Sequence, residues 1–523
     1  MSWTAWLLFI VIVQLIHFLG TWKLYIKAGR QAWEAAVPVY NAVVLMKIIN
    51  RPWWWCPLLF VPIVNLILFP VVWVETLRSF GKNSTGNTFL GLLTLGFYIY
   101  YVNYAQDVTH IKERSLMPRS GVGEWVSSVL FAVVAATIVH TYFMQPFTIP
   151  TSSLEKTLLV GDFLFVSKFH YGARTPMTPL AFPMVHDTIP VVKTKSYMGK
   201  PQIPYFRFPG FQTIKRNDIV VFSWPVDEYR DIGPPPKGYA WKPIDKKSNY
   251  VKRCVGLPGD SLEVRDGHVY INGKQNELPD RAKLQFGYAF ATSQPLNPQF
   301  AAQQYDITDL YPMNRDYTTF QAHLTDGAYE KFKNYPNLDT IVPLKSEKGV
   351  YNQSTFPRDD RYPWNNDFFG PLYIPEKGAT VTISQKTLPL YKRIIETYEG
   401  SEMGHEQKIS LNGNQVLMNG QPLTQYTFKM NYYWMMGDNR SNSQDARSWG
   451  FVPFNHVVGK PVFVWMSWDS NATGLMNKIR WERLFTTVGG TGTPVSYFRY
   501  FLIALAGYFV FRYFRRRKQG AKK

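Results

Sequence analysis

Three short segments of this 523-residue sequence hold side chains that could supply a nucleophile, a general base and a hydrogen-bonding network around them. In the first segment, residues 147–162, Thr151, Ser152 and Ser153 follow a proline and precede an apolar run that ends in a Gly-Asp turn. Because proline restricts the backbone, a serine here would stand on a rigid loop. A serine hydroxyl becomes an effective nucleophile when an adjacent general base accepts its proton.

The second segment, residues 250–260, places a lysine among apolar neighbours on a predicted strand. Successive side chains of a strand point to opposite faces, so Lys252 and Arg253 must face in opposite directions. One of them can then be solvated while the other is turned inward. Burial lowers the pKa of a lysine, and a neutral lysine can act as a general base. Lys252 is therefore a candidate base for a serine nucleophile.

The third segment, residues 437–453, is dense in hydrogen-bonding groups and places Asp445 and Arg447 two residues apart. Taken alone, each segment has a purely structural explanation. Ser153 could cap a helix or a turn, and Lys252 could lie on the surface of a sheet. Asp445 and Arg447 could form a structural salt bridge. The joint occurrence of the three segments in this order favours a catalytic explanation.

The three segments resemble motifs of the bacterial signal peptidase I family, whose members are serine endopeptidases with a Ser/Lys dyad. The motif I-P-S-G-S-M-x-P-T-L is matched with substitutions by Ile149–Leu158, and K-R-x-x-G-x-P-G-D is matched in full by Lys252–Asp260. The motif G-D-N-R-x-N-S-x-D-S-R is matched by Gly437–Arg447, except that Ala446 replaces a serine. A fourth motif, R-G-D-I-V-V-F, appears with one substitution in Arg216–Phe222. The chain resembles a long form of this family with additional N-terminal membrane helices.

The resemblance implies a role for each matched residue. Ser153 falls on the nucleophile and Lys252 on the general base. The backbone N–H of Ser153 and the hydroxyl of Thr151 fall on the oxyanion hole, and Ser443 falls on the residue that hydrogen-bonds the lysine. The residues that match structural positions near the site are Asp438, Asp445 and Arg447. The residues that fall on or near the family's apolar substrate pockets are Phe147, Ile149, Pro150, Leu154, Leu158, Tyr250 and Val251.

Substitutions in the first motif depart from the family. Ser152 replaces a glycine, Leu154 a methionine and Lys156 a proline, so we expect the loop after Ser153 to be less rigid than in the family. These departures leave open the alternative of a catalytically decayed membrane scaffold with a signal-peptidase-like domain. A self-cleaving Ser/Lys protease of the stress-response type is a further alternative, although that class lacks multiple membrane helices. The resemblance implies no cofactor, and the 9 histidines show no metal-ligand spacing.

Long apolar segments indicate that the chain is anchored in a membrane. The segments that predict spanning helices are residues 3–22, 53–74, 88–105, 125–144 and 497–514. Residues 23–52, residues 107–122 and the tail from residue 512 are rich in Lys and Arg, so the positive-inside rule places them in the cytoplasm. The N-terminus and residues 146–495 then lie outside the cytoplasm. The sequence therefore predicts a multi-pass membrane protein with a cytoplasmic C-terminus, and the resemblance implies that the membrane is the bacterial cytoplasmic membrane.

The formal net charge of +20 would also fit a protein that binds nucleic acid. Residues 1–145 and 496–523 account for +13 of this charge, and the other +7 is spread over residues 146–495 without a cluster. A nucleic-acid-binding domain usually concentrates its charge on one face or helix, so we expect no nucleic-acid partner. Because 16% of residues are aromatic and only 2 are cysteines, the chain is neither disordered nor a disulfide scaffold.

Residues 146–495 have the pattern of a mainly β region. Short β-branched and aromatic runs predict strands at residues 162–166 and 218–222. Asp-Gly and Asn-Gly turn signals predict hairpins at residues 261–271 and 408–418. The expected fold is a mainly β extracytoplasmic catalytic domain of antiparallel sheets, with a signal-peptidase-like core and an inserted subdomain. About five transmembrane α-helices complete it.

The domain organisation follows from these signals. We predict an N-terminal multi-helix membrane domain at 1–121, an anchor helix at 122–145, the catalytic domain at 146–495, and a C-terminal helix with a basic tail at 496–523. Within the catalytic domain, we expect the core at about 146–264 and 430–486 and the insert at about 265–429. Residues 172–212 and 280–375 are rich in Pro, Gly, Tyr and Asn and predict little regular structure.

The expected partners follow from the same resemblance. The substrates would be signal-peptide-bearing preproteins with small residues at P1 and P3, and the lipid bilayer would be the second partner. Residues 30–82 resemble small membrane domains of unassigned role that accompany some long signal peptidases. Anchoring is the simplest role for them, and docking to the secretion channel is the alternative.

Overall fold

The chain divides into two compact units. The computed structural model describes residues 3–118, 120–226 and 242–520. Residues 1–143 together with 174–207 form one unit, here the helical unit, and residues 144–173 together with 208–523 form the other, here the β unit.

The helical unit has a long first helix, short helices in the middle and a long last helix. Their bounds are α1 (Trp3–Lys27), α2 (Tyr40–Ile48), α3 (Trp55–Leu58), α4 (Val64–Ser79), α5 (Thr85–Leu93), α6 (Tyr98–Ala105) and α7 (Gly121–Ile138). Within the described residues, 2 helical stretches are long and apolar enough to cross a membrane, Thr4–Lys27 and Gly121–Phe143. The prediction of five spans is therefore wrong, and membrane association through two apolar helices replaces it.

The segment at residues 53–74 is not a span because it turns back on itself. A turn separates α3 from α4, and in it Ile63 has a φ of 71°, which a continuous helix cannot contain. Arg51 Nη2 donates to Glu75 Oε2 at 3.0 Å, and Arg114 Nη2 donates to the same oxygen at 2.6 Å. The residues on either side of the segment therefore meet at one buried carboxylate, on the same side of any membrane.

The remaining two predicted spans fail for different reasons. Residues 88–105 break into α5 and α6 at Leu95 and Gly96, whose φ angles are 51° and 87°. α6 instead packs beside α1. The C-terminal helix, Phe498–Gly520, is long enough to span, but it is too rich in arginine and lysine to count as an apolar span. The predicted cytoplasmic C-terminus, which depended on this helix as a span, is therefore not supported.

Among the described residues, all the strands lie in the β unit, together with six helices. Its strands are β1 (Met144–Thr148), β2 (Asp162–Ser167), β3 (Ile219–Ser223), β4 (Asn249–Gly256), β5 (Ser261–Arg265), β6 (His268–Ile271), β7 (Lys274–Gln275), β8 (Phe286–Thr292), β9 (Asp309–Pro312), β10 (Thr319–Leu324), β11 (Leu338–Pro343), β12 (Phe369–Tyr373), β13 (Thr380–Thr382), β14 (Ile409–Asn412), β15 (Gln415–Met418), β16 (Gln421–Pro422), β17 (Gln425–Thr427), β18 (Tyr432–Met436), β19 (Val452–Pro453), β20 (Val457–Ser467) and β21 (Thr486–Thr487). Its helices are α8 (Pro298–Tyr305), α9 (Asp326–Phe332), α10 (Leu388–Arg393), α11 (Ala446–Trp449), α12 (Leu475–Lys478) and α13 (Phe498–Gly520).

The strands form antiparallel sheets, as the sequence predicts. The largest sheet has the order β1-β2-β20-β3-β4-β18-β19, with β21 added beside β20. Four-stranded sheets with the orders β11-β8-β10-β9 and β12-β5-β6-β7 follow, together with the smaller sheets β14-β15-β16 and β13-β17. The order of the largest sheet brings strands from the start, middle and end of the β unit side by side.

The strand and hairpin predictions are largely confirmed. Strands β2 and β3 cover the predicted runs, and β5 pairs with β6 and β14 with β15 as hairpins. Asp266 and Gly267 both have positive φ angles, 53° and 78°, as the tight turn between β5 and β6 requires. The prediction of little regular structure at residues 280–375 is wrong, because β8 to β12 and two helices lie there. Frequent Pro, Gly and Asn in the connections obscured the strands between them.

The largest sheet is covered on both faces, which explains the continuous apolar run of β3. Ile219 and Val221 pack in one cluster, whereas Val220 and Phe222 pack in another. Alternating side chains of a strand point to opposite faces, so a strand buried on both sides needs apolar residues at every position. The adjacent strand β4 is thereby held in a dry environment.

Candidate active site

The loop that follows β1, residues 149–158, is here called the serine loop. A short 3-10 turn at Ser152–Leu154 contains Ser153, which is 8% exposed. Leu154 and Leu158 are buried in the same apolar cluster as Ile149, so they anchor the turn. The backbone N–H of Leu158 donates to Leu154 O at 2.8 Å. A serine hydroxyl is thus presented from a turn that is fixed by burial before and after it.

A lysine from β4 reaches this serine across 99 residues of sequence. Lys252 Nζ donates a hydrogen bond to Ser153 Oγ, and the lysine is 3% exposed. Burial lowers the pKa of Lys252 to about 8, although the carboxylates of Asp445 and Asp438 act to raise it. A lysine in this environment is neutral for a useful fraction of molecules near neutral pH and can then accept the hydroxyl proton.

The neighbouring arginine points the other way and binds a carboxylate. Arg253 Nε donates to Asp438 Oδ1 at 2.7 Å and Arg253 Nη2 donates to Asp438 Oδ2 at 2.6 Å, a two-point ion pair. Thr157 Oγ1, on the serine loop, donates to the same carboxylate at 2.7 Å. Neither Lys252 nor Arg253 is solvated, since the arginine is only 2% exposed. Its pairing with Asp438 compensates its burial.

Asp445 and Arg447 form a second buried ion pair beside the lysine. Arg447 Nε donates to Asp445 Oδ1 at 2.9 Å, and Arg447 Nη2 donates to Asp445 Oδ2 at 2.8 Å. The backbone N–H of Gly437 donates to Asp445 Oδ2 at 3.0 Å. The pair thus braces the loop that carries the third sequence motif, and it lies close enough to Lys252 for the charges of both members to influence the lysine pKa.

The first residue of the third motif, Gly437, lies where the motif meets the serine loop. A Cβ at position 437 would lie 2.6 Å from the carbonyl oxygen of Ser153 and would also clash with Ser443 Oγ. Position 437 therefore requires glycine for the two loops to approach. Within the described residues, the buried Oγ of Ser443 has no hydrogen-bond partner, so the lysine-orienting role of this serine stays a prediction.

The other predicted site residues divide into three groups. Thr151 is exposed and extended, with a φ of −133°, immediately before the 3-10 turn, and its role in an oxyanion hole stays a prediction. Of the predicted pocket residues, Phe147, Ile149, Leu154, Leu158 and Val251 share one apolar cluster. Tyr250 packs in a neighbouring cluster, with its ring centroid 4.2 Å from that of Trp224, and Pro150 is exposed.

Sequence reasoning missed polar residues that support the serine loop. Asn439 donates its backbone N–H to Ser153 O at 3.1 Å, and Asp309 accepts from its side-chain amide at 2.6 Å. Asn439 lies within the third motif, which was a signal that could have been used. Asp309 lies in the insert, where no motif marks it. Among the described residues, no group of His, Cys, Asp and Glu is arranged to hold a metal ion.

The chain is similar to two described families. The family model described as "Signal peptidase, peptidase S26" matches residues 122–326 and 373–468, which include the serine loop, β4 and the third motif. A model described as "Family of unknown function (DUF5684)" matches residues 33–113, which lie within the helical unit.

Several relatives named Signal peptidase I align with about two-thirds of the chain. The protein of Buchnera aphidicola subsp. Acyrthosiphon pisum is 26% identical over 67% of this chain and 77% of its own length. That of Buchnera aphidicola subsp. Schizaphis graminum is 27% identical over 69% of this chain and 80% of its own length. That of Rickettsia canadensis is 26% identical over 68% of this chain and 85% of its own length.

Proposed function

This chain belongs to the signal peptidase family, peptidase S26, and from that premise we propose that it removes signal peptides with Ser153 as nucleophile and Lys252 as general base. The family match covers more than half of the chain. As a member of this family, the protein is a membrane-associated serine endopeptidase that acts on signal-peptide-bearing preproteins. The proposal concerns the residues that perform the cleavage and their side of the membrane.

The observation that carries the proposal is the buried contact between Lys252 Nζ and Ser153 Oγ. When Lys252 is neutral, its lone pair accepts the serine proton as Oγ attacks the scissile carbonyl carbon. The carbonyl π bond breaks, and an oxyanion forms. Collapse of this intermediate breaks the peptide C–N bond, and the lysine ammonium protonates the leaving amine. The neutral lysine then takes a proton from water as the water oxygen attacks the acyl carbonyl carbon. The ester bond to Ser153 Oγ breaks, and the lysine ammonium returns the proton to Oγ.

The oxyanion needs donors that are in place before the reaction. We assign this role to the backbone N–H of Ser153 and the hydroxyl of Thr151, since threonine keeps the donor that the family's serine supplies. One such donor typically contributes ~10²–10³ in rate. Ser443 is assigned to orient the lysine after substrate binds, and Asp438, Asp445 and Arg447 to keep the two loops together.

The proposed catalytic domain, about residues 146–495, lies outside the cytoplasm. Between the two apolar helices, residues 28–120 hold 8 Lys and Arg against 4 Asp and Glu, which favours the cytoplasm for this stretch. Helix α7 then crosses the membrane from the cytoplasmic side to the outer side. Trp6, near the outer end of α1, donates Nε1 to the carbonyl of Gln202 at 3.1 Å, in agreement with this sidedness.

The experiment is cleavage of a purified preprotein by the full-length chain in detergent. Ser153→Ala and Lys252→Met should each lower kcat by more than about 10³-fold, because nucleophile and base act as a unit. A signal-peptide series with Ala, Leu or Asp at P1 and P3 should be cleaved best when both are Ala. Wild-type rates in both variants would overturn the proposal.

A second measurement separates this function from a catalytically decayed scaffold. An active-site acylating reagent should modify Ser153 of the wild-type chain, as read by intact mass and peptide mapping. Absence of the adduct in folded wild-type protein would favour the catalytically decayed scaffold. That alternative is open because Ser152 and Lys156 depart from the family motif.

A further inference from the structure

The serine loop is linked by an ion pair and hydrogen bonds to residues 306–311, here called the insert segment. Lys156 Nζ donates to Asp306 Oδ1 at 2.7 Å, and the lysine side chain is 9% exposed although the aspartate is 60% exposed. Lys156 has a φ of 68°, in the left-handed region, which a non-glycine residue adopts only at an energetic cost. The ion pair therefore secures a strained turn that comes directly after Ser153 and Leu154.

A second contact runs through an asparagine of the third motif. The backbone N–H of Asn439 donates to Ser153 O at 3.1 Å, and its side-chain Nδ2 donates to Ser152 O at 3.3 Å. The same Nδ2 donates to Asp309 Oδ2 at 2.6 Å. A carboxylate accepts hydrogen bonds only, so Asp309 dictates which end of the amide faces it. The amide nitrogen is thereby fixed where it also holds the serine loop.

A third contact joins the same two segments. Asn442 Nδ2 donates to Ser152 Oγ at 3.0 Å and to Tyr311 Oη at 3.3 Å. Asp309 and Tyr311 belong to β9, which pairs with β10 in the sheet that also contains β8 and β11. The support is a strand rather than a free loop, which suits it to hold another loop in place.

The carboxylate of Asp309 lies in a largely buried setting. His323 pairs opposite Asp309 in the β9–β10 ladder, and its Nδ1 lies 3.5 Å from Asp309 Oδ2. The aspartate side chain is 11% exposed, and Asn439 is completely buried. Asn439 therefore links Asp309 of β9 to the carbonyl groups of Ser152 and Ser153 through largely buried hydrogen bonds.

We propose that the insert segment positions the nucleophile: Asp306 acts through Lys156, and Asp309 acts through Asn439. Neither aspartate touches the reacting atoms, so both are positioning residues. Loss of either contact lets the backbone at Ser153 leave the geometry needed for attack, which slows the chemical step and leaves substrate affinity unchanged. This inference rests on the proposed function, because it assumes that Ser153 is the nucleophile.

The test measures kcat and KM for preprotein cleavage by the full-length chain in detergent, with active sites counted by acylation. We expect Asp309→Ala and Lys156→Asn each to lower kcat about tenfold at constant KM, because small misplacements of reacting groups are costly. Asn tolerates a positive φ but is too short to reach Asp306. Asp309→Asn keeps an acceptor for Asn439 and should restore kcat to within about threefold of wild type.

Lys345→Ala is the matched control, because it removes a 2.9 Å ion pair with Asp266 elsewhere in the insert. It should leave kcat and KM at wild-type values. Wild-type kcat in both Asp309→Ala and Lys156→Asn overturns the inference, as does a loss of rate explained by fewer active sites or by a lower Tm. If Ser153→Ala remains active, the proposed function fails instead, so the two failures are distinguishable.

Discussion

The lowered pKa of Lys252 makes a quantitative prediction about the pH dependence of cleavage. Burial brings this pKa from the ordinary 10.5 to about 8. At pH 7, about 10% of such lysines are neutral, against about 0.03% for an exposed lysine, so burial raises the population of the active base about 300-fold. Between pH 6 and pH 8 the neutral fraction rises about 50-fold, and above pH 9 it changes little.

The assay is kcat/KM for a preprotein across pH 6–10, since this quantity reports the ionisation of the free enzyme. We expect a limb that rises tenfold per pH unit and levels off near pH 8. Lys345→Ala should give the same curve. A profile that changes by less than about threefold between pH 6 and pH 8, or a limb near pH 10, would refute the assignment of a desolvated lysine base.

Further predictions concern the same lysine, the glycine beside it and the helical unit. The pKa of Lys252 is lower in the folded chain than in the unfolded one, so burial of this lysine lowers the free energy of unfolding. The decrease is largest below pH 8 and disappears as the pH rises from 8 to 10.5. Lys252→Met should therefore raise the free energy of unfolding at pH 7 by up to about 3 kcal/mol, and by much less at pH 10, as measured by chemical or thermal unfolding. Gly437→Ala should lower kcat by about 10²-fold, since its Cβ would meet the Ser153 carbonyl, whereas Gly327→Ala, which has open space, should not. Glu75→Gln should destabilise the helical unit by roughly 3 kcal/mol, because arginines lose a shared buried carboxylate, and a thermal scan in detergent would detect it.

The contact between Ser153 and Lys252 was predictable from sequence because each residue belongs to a short motif. Ser153 and Lys252 lie 99 residues apart, yet each belongs to a motif whose spacing is independent of the fold. Asp309 could not be predicted in the same way. It is a single aspartate in an aromatic-rich insert, and its partner Asn439 lies 130 residues later in the chain. The pairing of two residues so far apart in the chain depends on how the sheets pack, and local sequence patterns do not predict that packing.

The membrane topology shows a second limit of sequence patterns. Average hydropathy over residues 53–74 is that of a spanning helix, because the average gives no weight to the turn at Ile63. The deciding contacts are the ion pairs of Arg51 and Arg114 with Glu75, which close the ends of the segment on each other. The hairpin turns were predictable, by contrast, because dipeptides such as Asp266-Gly267 specify their own backbone angles.

The excursion of residues 174–207 into the helical unit has a consequence for biogenesis. The chain passes from one unit to the other at residues 143, 173 and 207. Ile63 packs against Ala181 and Tyr197 in a small apolar cluster. This cluster cannot form until the ribosome has made residue 197. The helical unit is therefore completed only after the ribosome has made the serine loop and β2, both of which precede residue 174.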